Sequence, residues 1–138
     1  MIIQSPPVAT DTKRILVADD NEDIRKLIAL ILNSAKYEVL AVGSGAELIA
    51  AYSDFNPDLV ILDIMMPHMS GFEVLEKLKD LLQERSKPIP ILMITAKSME
   101  SDVERAIELG AKSYIVKPFR ADALLQKVYK FLPAGSQS

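Results

Sequence analysis

The chain has 138 residues, 49% of them hydrophobic and 25% charged, which is typical of one globular domain with a substantial core. Its net charge of -3 provides no general attraction to nucleic acid or to an anionic membrane, and the absence of cysteine excludes disulfides, thiolate metal sites and cysteine nucleophiles. No apolar run approaches the roughly 18 residues of a membrane span and the first residues lack the pattern of a signal peptide, so we expect a cytoplasmic protein.

Composition also divides the chain into three segments. We expect residues 1–12 to form a flexible arm, because this short stretch, with its Ser5-Pro6-Pro7 run, cannot bury enough apolar surface to order itself. Residues 13–132 are the expected folded domain, and residues 133–138 have the composition of a tail or linker. We therefore expect either a stand-alone domain or an excised piece of a longer protein; the linker-like tail fits both, and the piece is slightly favoured.

The domain begins with an apolar run from Ile15 to Ala18, which predicts a strand that ends at Asp19 and Asp20. The apolar spacing then becomes that of a helix, whose buried stripe is predicted to consist of Ile24, Leu27, Ile28 and Ile31. The acidic residues therefore lie where a strand turns into a helix.

The next strand is predicted over residues 37–42. Ser44 and Glu47 have the spacing of a capping box, which opens a short helix that we expect to end near residue 52.

The third predicted strand is the apolar run between the turn formers Asn56-Pro57-Asp58 and Met66-Pro67, with Asp63 expected at the end of the strand. An uninterrupted apolar run is typical of a strand covered on both faces, and an ionised aspartate is tolerated there only at a strand end where it meets cations or donors. Ser70 and Glu73 then repeat the capping-box spacing at the start of another helix.

The second half of the domain continues the alternation with these elements: a strand over 91–94 ending in Thr95, a helix from residue 98 or 99 to 109 capped by Gly110, a strand over 114–116 ending in Lys117 and Pro118, and a last helix over about 120–132. Five strands alternating with five helices predict an α/β fold with a parallel sheet and helices on both faces. Ligands of such sheets bind at the carboxyl ends of the strands. The unusual polar residues all fall at these ends: Asp19, Asp20, Asp63, Thr95 and Lys117.

This set of side chains is typical of a phosphoryl-transfer site. Converging carboxylates repel each other, and a hard divalent cation such as Mg²⁺ relieves that repulsion. Lys117 and the Thr95 hydroxyl add donors for the oxygens of an anion, while one carboxylate serves as the nucleophile. Each residue taken alone also has a structural explanation: helix capping for the acidic cluster, a turn for Asp63, an ordinary strand end for Thr95 and an extended turn before proline for Lys117. We expect His68 to be an exposed bystander.

Taken in order, these residues resemble the receiver domain of bacterial two-component response regulators, including the chemotaxis regulators. The resemblance covers about residues 13–132 and rests on these motifs: Ile15-Leu16-Val17-Ala18-Asp19-Asp20, Asp63-Ile64-Met65-Met66-Pro67 followed by Gly71, Thr95-Ala96, Gly110-Ala111 and Lys117-Pro118-Phe119. It implies a flavodoxin-like, doubly wound sheet of five strands in the order 2-1-3-4-5.

The resemblance also implies a role for each site residue. Asp63 matches the aspartate that accepts a phosphoryl group from a sensor histidine kinase or a phosphotransfer protein, and Lys117, joined to Pro118 by a cis bond, would pair with the phosphoryl oxygens. Mg²⁺, or Mn²⁺ in its place, would be held by Asp19, Asp20, Asp63 and the backbone carbonyl of Met65.

Thr95 and Tyr114 match the switch residues of the family. By the resemblance, their movement changes the surface of helix 4, strand 5 and helix 5, which then engages a downstream effector domain or protein. The chain would be a monomer or a phosphorylation-dependent dimer without direct contact to nucleic acid or membrane. It would not be an enzyme beyond catalysing its own phosphorylation and dephosphorylation.

Some residues depart from the family pattern or vary within it. Met65 and Lys97 flank the phosphoryl group, and because apolar Met65 cannot orient an attacking water we expect a long-lived phosphoryl-Asp63. Lys112-Ser113 stands where many DNA-binding relatives carry two acidic residues, so their particular dimer is not expected.

The alternative function is a receiver-like interaction module that works without phosphate. A phosphatase with an aspartyl-phosphate intermediate is disfavoured because residue 65 is not a second aspartate.

Overall fold

A computed structural model of the chain describes residues 3–4, 12–83, 89–96 and 100–133. The strands are β1 (Ile3–Gln4), β2 (Arg14–Ala18), β3 (Glu38–Val42), β4 (Leu59–Asp63), β5 (Ile91–Thr95) and β6 (Ser113–Val116). The helices are α1 (Glu22–Ser34), α2 (Gly45–Phe55), α3 (Gly71–Gln83), α4 (Glu100–Glu108) and α5 (Ala121–Phe131). Strands and helices alternate from β2 onward, as predicted.

All six strands join one sheet in the order β1-β3-β2-β4-β5-β6. The strands β2 to β6 are parallel to one another. If β2 to β6 are counted as strands 1 to 5, their order in the sheet is 2-1-3-4-5. This order confirms the doubly wound α/β arrangement that the resemblance implied.

The strand β1 is an element that the sequence did not predict. It pairs antiparallel with β3, placing Ile3 opposite Ala41 and Gln4 opposite Leu40. An edge strand offers unpaired backbone groups that even a two-residue segment can satisfy. The remainder of the predicted arm up to residue 11, and the predicted tail from residue 134, lie outside the described residues.

Two apolar clusters cover the faces of the sheet. The helices α1 and α5 pack on one face against Ile15, Val17, Ile61 and their neighbours, and α2, α3 and α4 pack on the other against Leu16, Val60, Leu62 and theirs. The strand β4 is buried along its whole length, as predicted for a strand covered on both sides. Each fully buried Leu or Ile contributes about 1.5–3 kcal/mol to the stability of the fold. The central strands therefore hold their carboxyl ends, where the predicted site lies, in fixed positions.

Serine side chains cap the starts of α2 and α3. The Glu47 N–H donates to Ser44 Oγ at 3.1 Å at the start of α2. At the start of α3, the Glu73 N–H donates to Ser70 Oγ and the Ser70 N–H donates to Glu73 Oε1, both at 3.3 Å. These bonds confirm the predicted capping box of α3 and the Ser44 cap of α2. Gly110, with φ of 112°, follows α4 as the predicted cap.

The buried stripe of α1 was predicted in part: Ile28 and Ile31 are buried as expected, and Ile24 is partly buried. Leu27, expected inside, is 41% exposed, whereas Arg25 is 4% exposed. The buried face comprises Arg25, Ile28, Ala29, Ile31 and Leu32. The prediction counted only large apolar residues, so it included Leu27 and missed the buried Arg25.

The helix α2 extends to Phe55, past the predicted end near residue 52. It stops at Asn56, which adopts a left-handed φ of 52° and donates its N–H to the Tyr52 carbonyl at 3.0 Å. The predicted start of α4 and Lys97 lie outside the described residues. Among the helices in the described ranges, none combines the length and the apolar character needed to cross a membrane.

Candidate functional site

The side chains predicted for the site follow the carboxyl ends of four parallel strands. Asp19 and Asp20 come directly after β2, Asp63 and Thr95 end β4 and β5, and Lys117 follows β6. Asp19, Asp63 and Thr95 are 0%, 3% and 4% exposed, while Asp20 faces solvent. The site is therefore an open mouth with two buried carboxylates at its base and a third at its rim.

The three carboxylates form one cluster, and a lysine bridges the two buried ones. Oxygens of Asp19, Asp20 and Asp63 all lie within 4.8 Å of one another. The Lys117 Nζ is 2.7 Å from Asp19 Oδ2 and 3.3 Å from Asp63 Oδ2. One ammonium group faces three carboxylates, so the cluster retains a negative charge that attracts a further cation.

Helix capping does not account for this cluster. Asn21 caps α1, because its side-chain oxygen accepts the Ile24 N–H at 2.9 Å. Asp19 Oδ1 accepts the Asn21 N–H at 2.9 Å and so holds the turn between β2 and α1. The Oδ2 of Asp19 and the whole carboxylate of Asp20 take no part in the cap, and both are directed to the mouth.

Burial and the neighbouring charge of Asp19 raise the pKa of Asp63 from 3.8 to about 6. Lys117 and the Met65 N–H, which donates to Asp63 Oδ1 at 3.2 Å, limit this rise. Burial by itself lowers the pKa of Lys117, but the hydrogen bond to Asp19 and the charges of both carboxylates outweigh it and raise this pKa above its ordinary value. At neutral pH the site therefore holds a carboxylate at Asp63 and an ammonium at Lys117.

The loop after β4 folds back closely on the strand. The Gly71 N–H donates to the Ile64 carbonyl at 2.8 Å. A Cβ at position 71 would lie 2.5 Å from the Asp63 carbonyl oxygen and 2.8 Å from Ile64 Cα, so only glycine allows α3 to begin here. Met65, 68% exposed, and His68, with φ of 69°, lie on the same loop.

Thr95 and Tyr114 lie on neighbouring strands beside the mouth, with Thr95 opposite Val116 and Tyr114 opposite Met93. Tyr114 is half-buried, and the Lys127 Nζ lies 5.7 Å from the centre of its ring. The Lys117–Pro118 peptide bond is cis. A groove of about 420 Å³ runs between β6 and α5, and its lining includes Tyr114, Pro118, Phe119 and Lys127.

The donor set of the cluster fits a hard divalent cation. It consists of carboxylate oxygens, and Mg²⁺ prefers oxygen ligands while retaining several waters, which the exposed side of the mouth accommodates. The raised pKa of Asp63 shows that its ionised form is destabilised, and a bound cation would stabilise that form.

Sequence reasoning missed one residue next to the site. Arg25 donates from Nη1 to the Asp19 carbonyl oxygen at 2.8 Å, in a bond that is buried. The sequence did contain a signal for this residue. Arg25 lies three, four and seven positions before the apolar Ile28, Ala29 and Leu32, and this spacing places it on the buried face of α1.

Sequence comparisons connect the chain with signalling proteins. A family model described as the response regulator receiver domain matches residues 15–129. The DNA-binding response regulator MtrA of Mycobacterium tuberculosis is 34% identical over 119 residues, which cover 86% of this chain and 50% of MtrA. The phosphate regulon transcriptional regulatory protein PhoB of Pseudomonas aeruginosa is 40% identical over 116 residues, covering 84% and 50%. The chain thus spans about half the length of the curated relatives it matches.

Solved structures of similar proteins extend the likeness to the fold. The chemotaxis protein CheY4 of Vibrio cholerae superposes with a TM-score of 0.82 at 31% identity, covering 88% of this chain and 99% of that one. The response regulator TrrA of Thermotoga maritima, in complex with Mg²⁺ and BeF, superposes with a TM-score of 0.76 at 36% identity, covering 88% and 100%.

Proposed function

This chain belongs to the response regulator receiver domain family, and we propose on that premise that Asp63 is its phosphoryl acceptor. The chain is a phospho-accepting receiver domain of two-component signalling. The observation that carries the assignment to Asp63 is its position in a cluster of three carboxylates, with Lys117 Nζ 3.3 Å from its Oδ2.

In the proposed reaction the ionised Asp63 carboxylate is the nucleophile. One of its oxygens attacks the phosphorus of a phosphohistidine, so that a P–O bond forms while the P–N bond breaks. The electron pair of that bond returns to the imidazole nitrogen, which takes up a proton from water. With a pKa of about 6, Asp63 is predominantly ionised at physiological pH.

Asp19, Asp20, Asp63 and the backbone carbonyl of Met65 would hold Mg²⁺, or Mn²⁺ in its place. When bound, this cation supplies positive charge that balances the carboxylates and the phosphoryl oxygens. Lys117 would exchange its contact with Asp63 for a phosphoryl oxygen and keep its ion pair with Asp19, now 2.7 Å long. The ion pair with Asp19 would thereby keep the ammonium group in place while its second partner changes from Asp63 to the phosphoryl group.

Thr95 and Tyr114 would convert the new phosphoryl group into a change of surface. In this proposal the Thr95 hydroxyl moves to donate to a phosphoryl oxygen, and the Tyr114 ring follows from its half-buried position towards the interior. The surface of α4, β6 and α5, which includes the groove beside Tyr114, would change shape. The added anion favours one arrangement of a pre-existing equilibrium.

The proposed partners follow from this chemistry. The phosphoryl donor is a sensor histidine kinase or a phosphotransfer protein, and the recipient of the signal is a downstream effector domain or protein. The cytoplasm is the proposed location. Catalysis by the chain is limited to its own phosphorylation and the hydrolysis of its own acyl phosphate.

Intact mass spectrometry tests the assignment. After incubation with Mg²⁺ and acetyl phosphate, the wild-type chain should gain about 80 Da, and chelation of Mg²⁺ or the substitution Asp63→Asn should abolish the gain. Asp58→Asn is the matched control, because Asp58 precedes the same strand at its opposite end and accepts the Arg14 N–H at 2.9 Å. An adduct of equal amount in Asp63→Asn, or none in the wild type, would exclude Asp63 as the acceptor.

A further inference from the structure

Arg25 is a buried cation whose own hydrogen bonding is incomplete. It is 4% exposed on α1 and donates from Nη1 to the Asp19 carbonyl oxygen at 2.8 Å. Its ion-pair contact, from Nη2 to a Glu22 carboxylate oxygen, is 4.0 Å long and reaches a half-exposed side chain. Its Nε has no hydrogen-bond partner among the described residues. A guanidinium buried in this way is costly unless nearby negative charge compensates it.

The Asp19 backbone is held from both sides. Its N–H donates to the Val42 carbonyl at the end of β3 at 3.1 Å, and its carbonyl accepts from Arg25. The Arg25 N–H in turn donates to the Asn21 carbonyl at 3.0 Å, so the arginine is fixed to the same turn whose carbonyl it holds. The position of the guanidinium therefore determines how the turn presents the carboxylates of Asp19 and Asp20.

The space around the guanidinium is tight. A Cβ at position 43 would lie 3.2 Å from Arg25 Nη1 and 3.4 Å from Glu47 Oε1. Gly43 thus leaves room for the side chain of Arg25 to cross from α1 to the turn after β2.

We propose that Arg25 is a positioning residue of the acidic cluster: its guanidinium holds the Asp19 carbonyl and thereby aims the carboxylates of Asp19 and Asp20 at the mouth. This proposal rests on the proposed function only in taking the cluster to be a Mg²⁺ site. Arg25 acts through the backbone of a ligand residue and does not itself touch the cation or the phosphoryl group.

The test measures Mg²⁺ affinity by isothermal titration calorimetry on the full chain. Arg25→Gln should weaken Mg²⁺ binding by at least about tenfold, as expected when a group that orients a metal ligand is lost. Arg25→Lys, which keeps a charged donor, should recover most of the affinity. The matched control is Arg14→Gln at the opposite end of β2, where the arginine pairs with Glu38 at 3.5 Å and stacks over Phe55. This control should stay within about twofold of the wild type.

Wild-type affinity in folded Arg25→Gln, or an equal loss in Arg14→Gln, would overturn the proposal. If Arg25→Gln does not fold, Arg25→Met, whose apolar chain fills the buried space without donating a hydrogen bond, decides in its place: weaker Mg²⁺ binding supports the role of Arg25, and unchanged binding refutes it. The phosphoryl adduct is measured separately. A wild type that forms no adduct while Arg25→Gln loses Mg²⁺ would refute the proposed function alone, and an adduct with unchanged Mg²⁺ binding in Arg25→Gln would refute the role of Arg25 alone.

Discussion

Replacing Asp63 by asparagine should stabilise the metal-free protein at pH 8. The pKa of Asp63 is about 6 in the folded chain against 3.8 as its ordinary value, so the folded state holds more protons than the unfolded state between these limits. The free energy of unfolding therefore falls as the pH rises from about 4 to 6 and stays low above that range. At about 1.4 kcal/mol per pKa unit, the ionised carboxylate costs the folded state about 3 kcal/mol.

Urea denaturation in the presence of a chelator measures this effect. Asp63→Asn should exceed the wild type by about 2–3 kcal/mol at pH 8, and most of this advantage should vanish at pH 4, where the wild-type carboxyl is protonated. Asp58→Asn serves as the control, because it removes a carboxylate that accepts the Arg14 N–H and lies outside the cluster. It should show no gain at pH 8.

Saturating Mg²⁺ should stabilise the wild type and leave Asp63→Asn nearly unchanged, because binding to the folded state alone adds to stability. The reasoning fails if Asp63→Asn is no more stable than the wild type at pH 8 without metal, or if its advantage is the same at pH 4.

Further consequences concern the metal, the phosphoryl group and the loops. Calorimetric Mg²⁺ affinity should fall by up to about tenfold per pH unit below pH 6, as protons compete for Asp63; a flat profile down to pH 5 would contradict this. Met65→Asn should shorten the lifetime of phosphoryl-Asp63 followed by intact mass, and equal decay rates would refute the role given to the exposed methionine. Lys36→Gly should raise the free energy of unfolding by about 0.5–1 kcal/mol in urea denaturation, because Lys36 has φ of 74° after α1, and a loss of stability would refute that explanation. Gly71→Ala should lower the free energy of unfolding by about 1–3 kcal/mol, because the added Cβ would clash with the backbone of Asp63. An unchanged free energy of unfolding would show that the loop can relax.

Features that depend on short sequence patterns, or on the order of strands and helices along the chain, were predictable. The burial of β4 and the capping of α2 and α3 depend on apolar runs and on short spacings, and the structure confirms them. The convergence of Asp19, Asp63 and Lys117 was also predictable, because parallel strands present their carboxyl ends at one edge.

Features that depend on contacts distant in sequence were not predictable. The stripe of α1 was predicted only in part because a polar residue, Arg25, takes a buried position and donates to the Asp19 carbonyl, while Leu27 is exposed. The strand β1 escaped detection because two residues carry no periodicity and its pairing depends on the free edge of β3. The raised pKa of Asp63 was predictable in part: repulsion between converging carboxylates was expected to raise at least one pKa, whereas the contribution of burial, which is the largest cause, depends on the tertiary packing.

Chemical trapping of the phosphorylated residue tests the central claim most directly. Borohydride reduces an acyl phosphate to an alcohol, so phosphorylated aspartate becomes homoserine, which peptide sequencing by mass spectrometry locates. After incubation with acetyl phosphate and Mg²⁺, we expect homoserine at position 63, and none when Mg²⁺ is chelated. Homoserine at Asp19, Asp20 or another carboxylate, with Asp63 intact, would contradict the account.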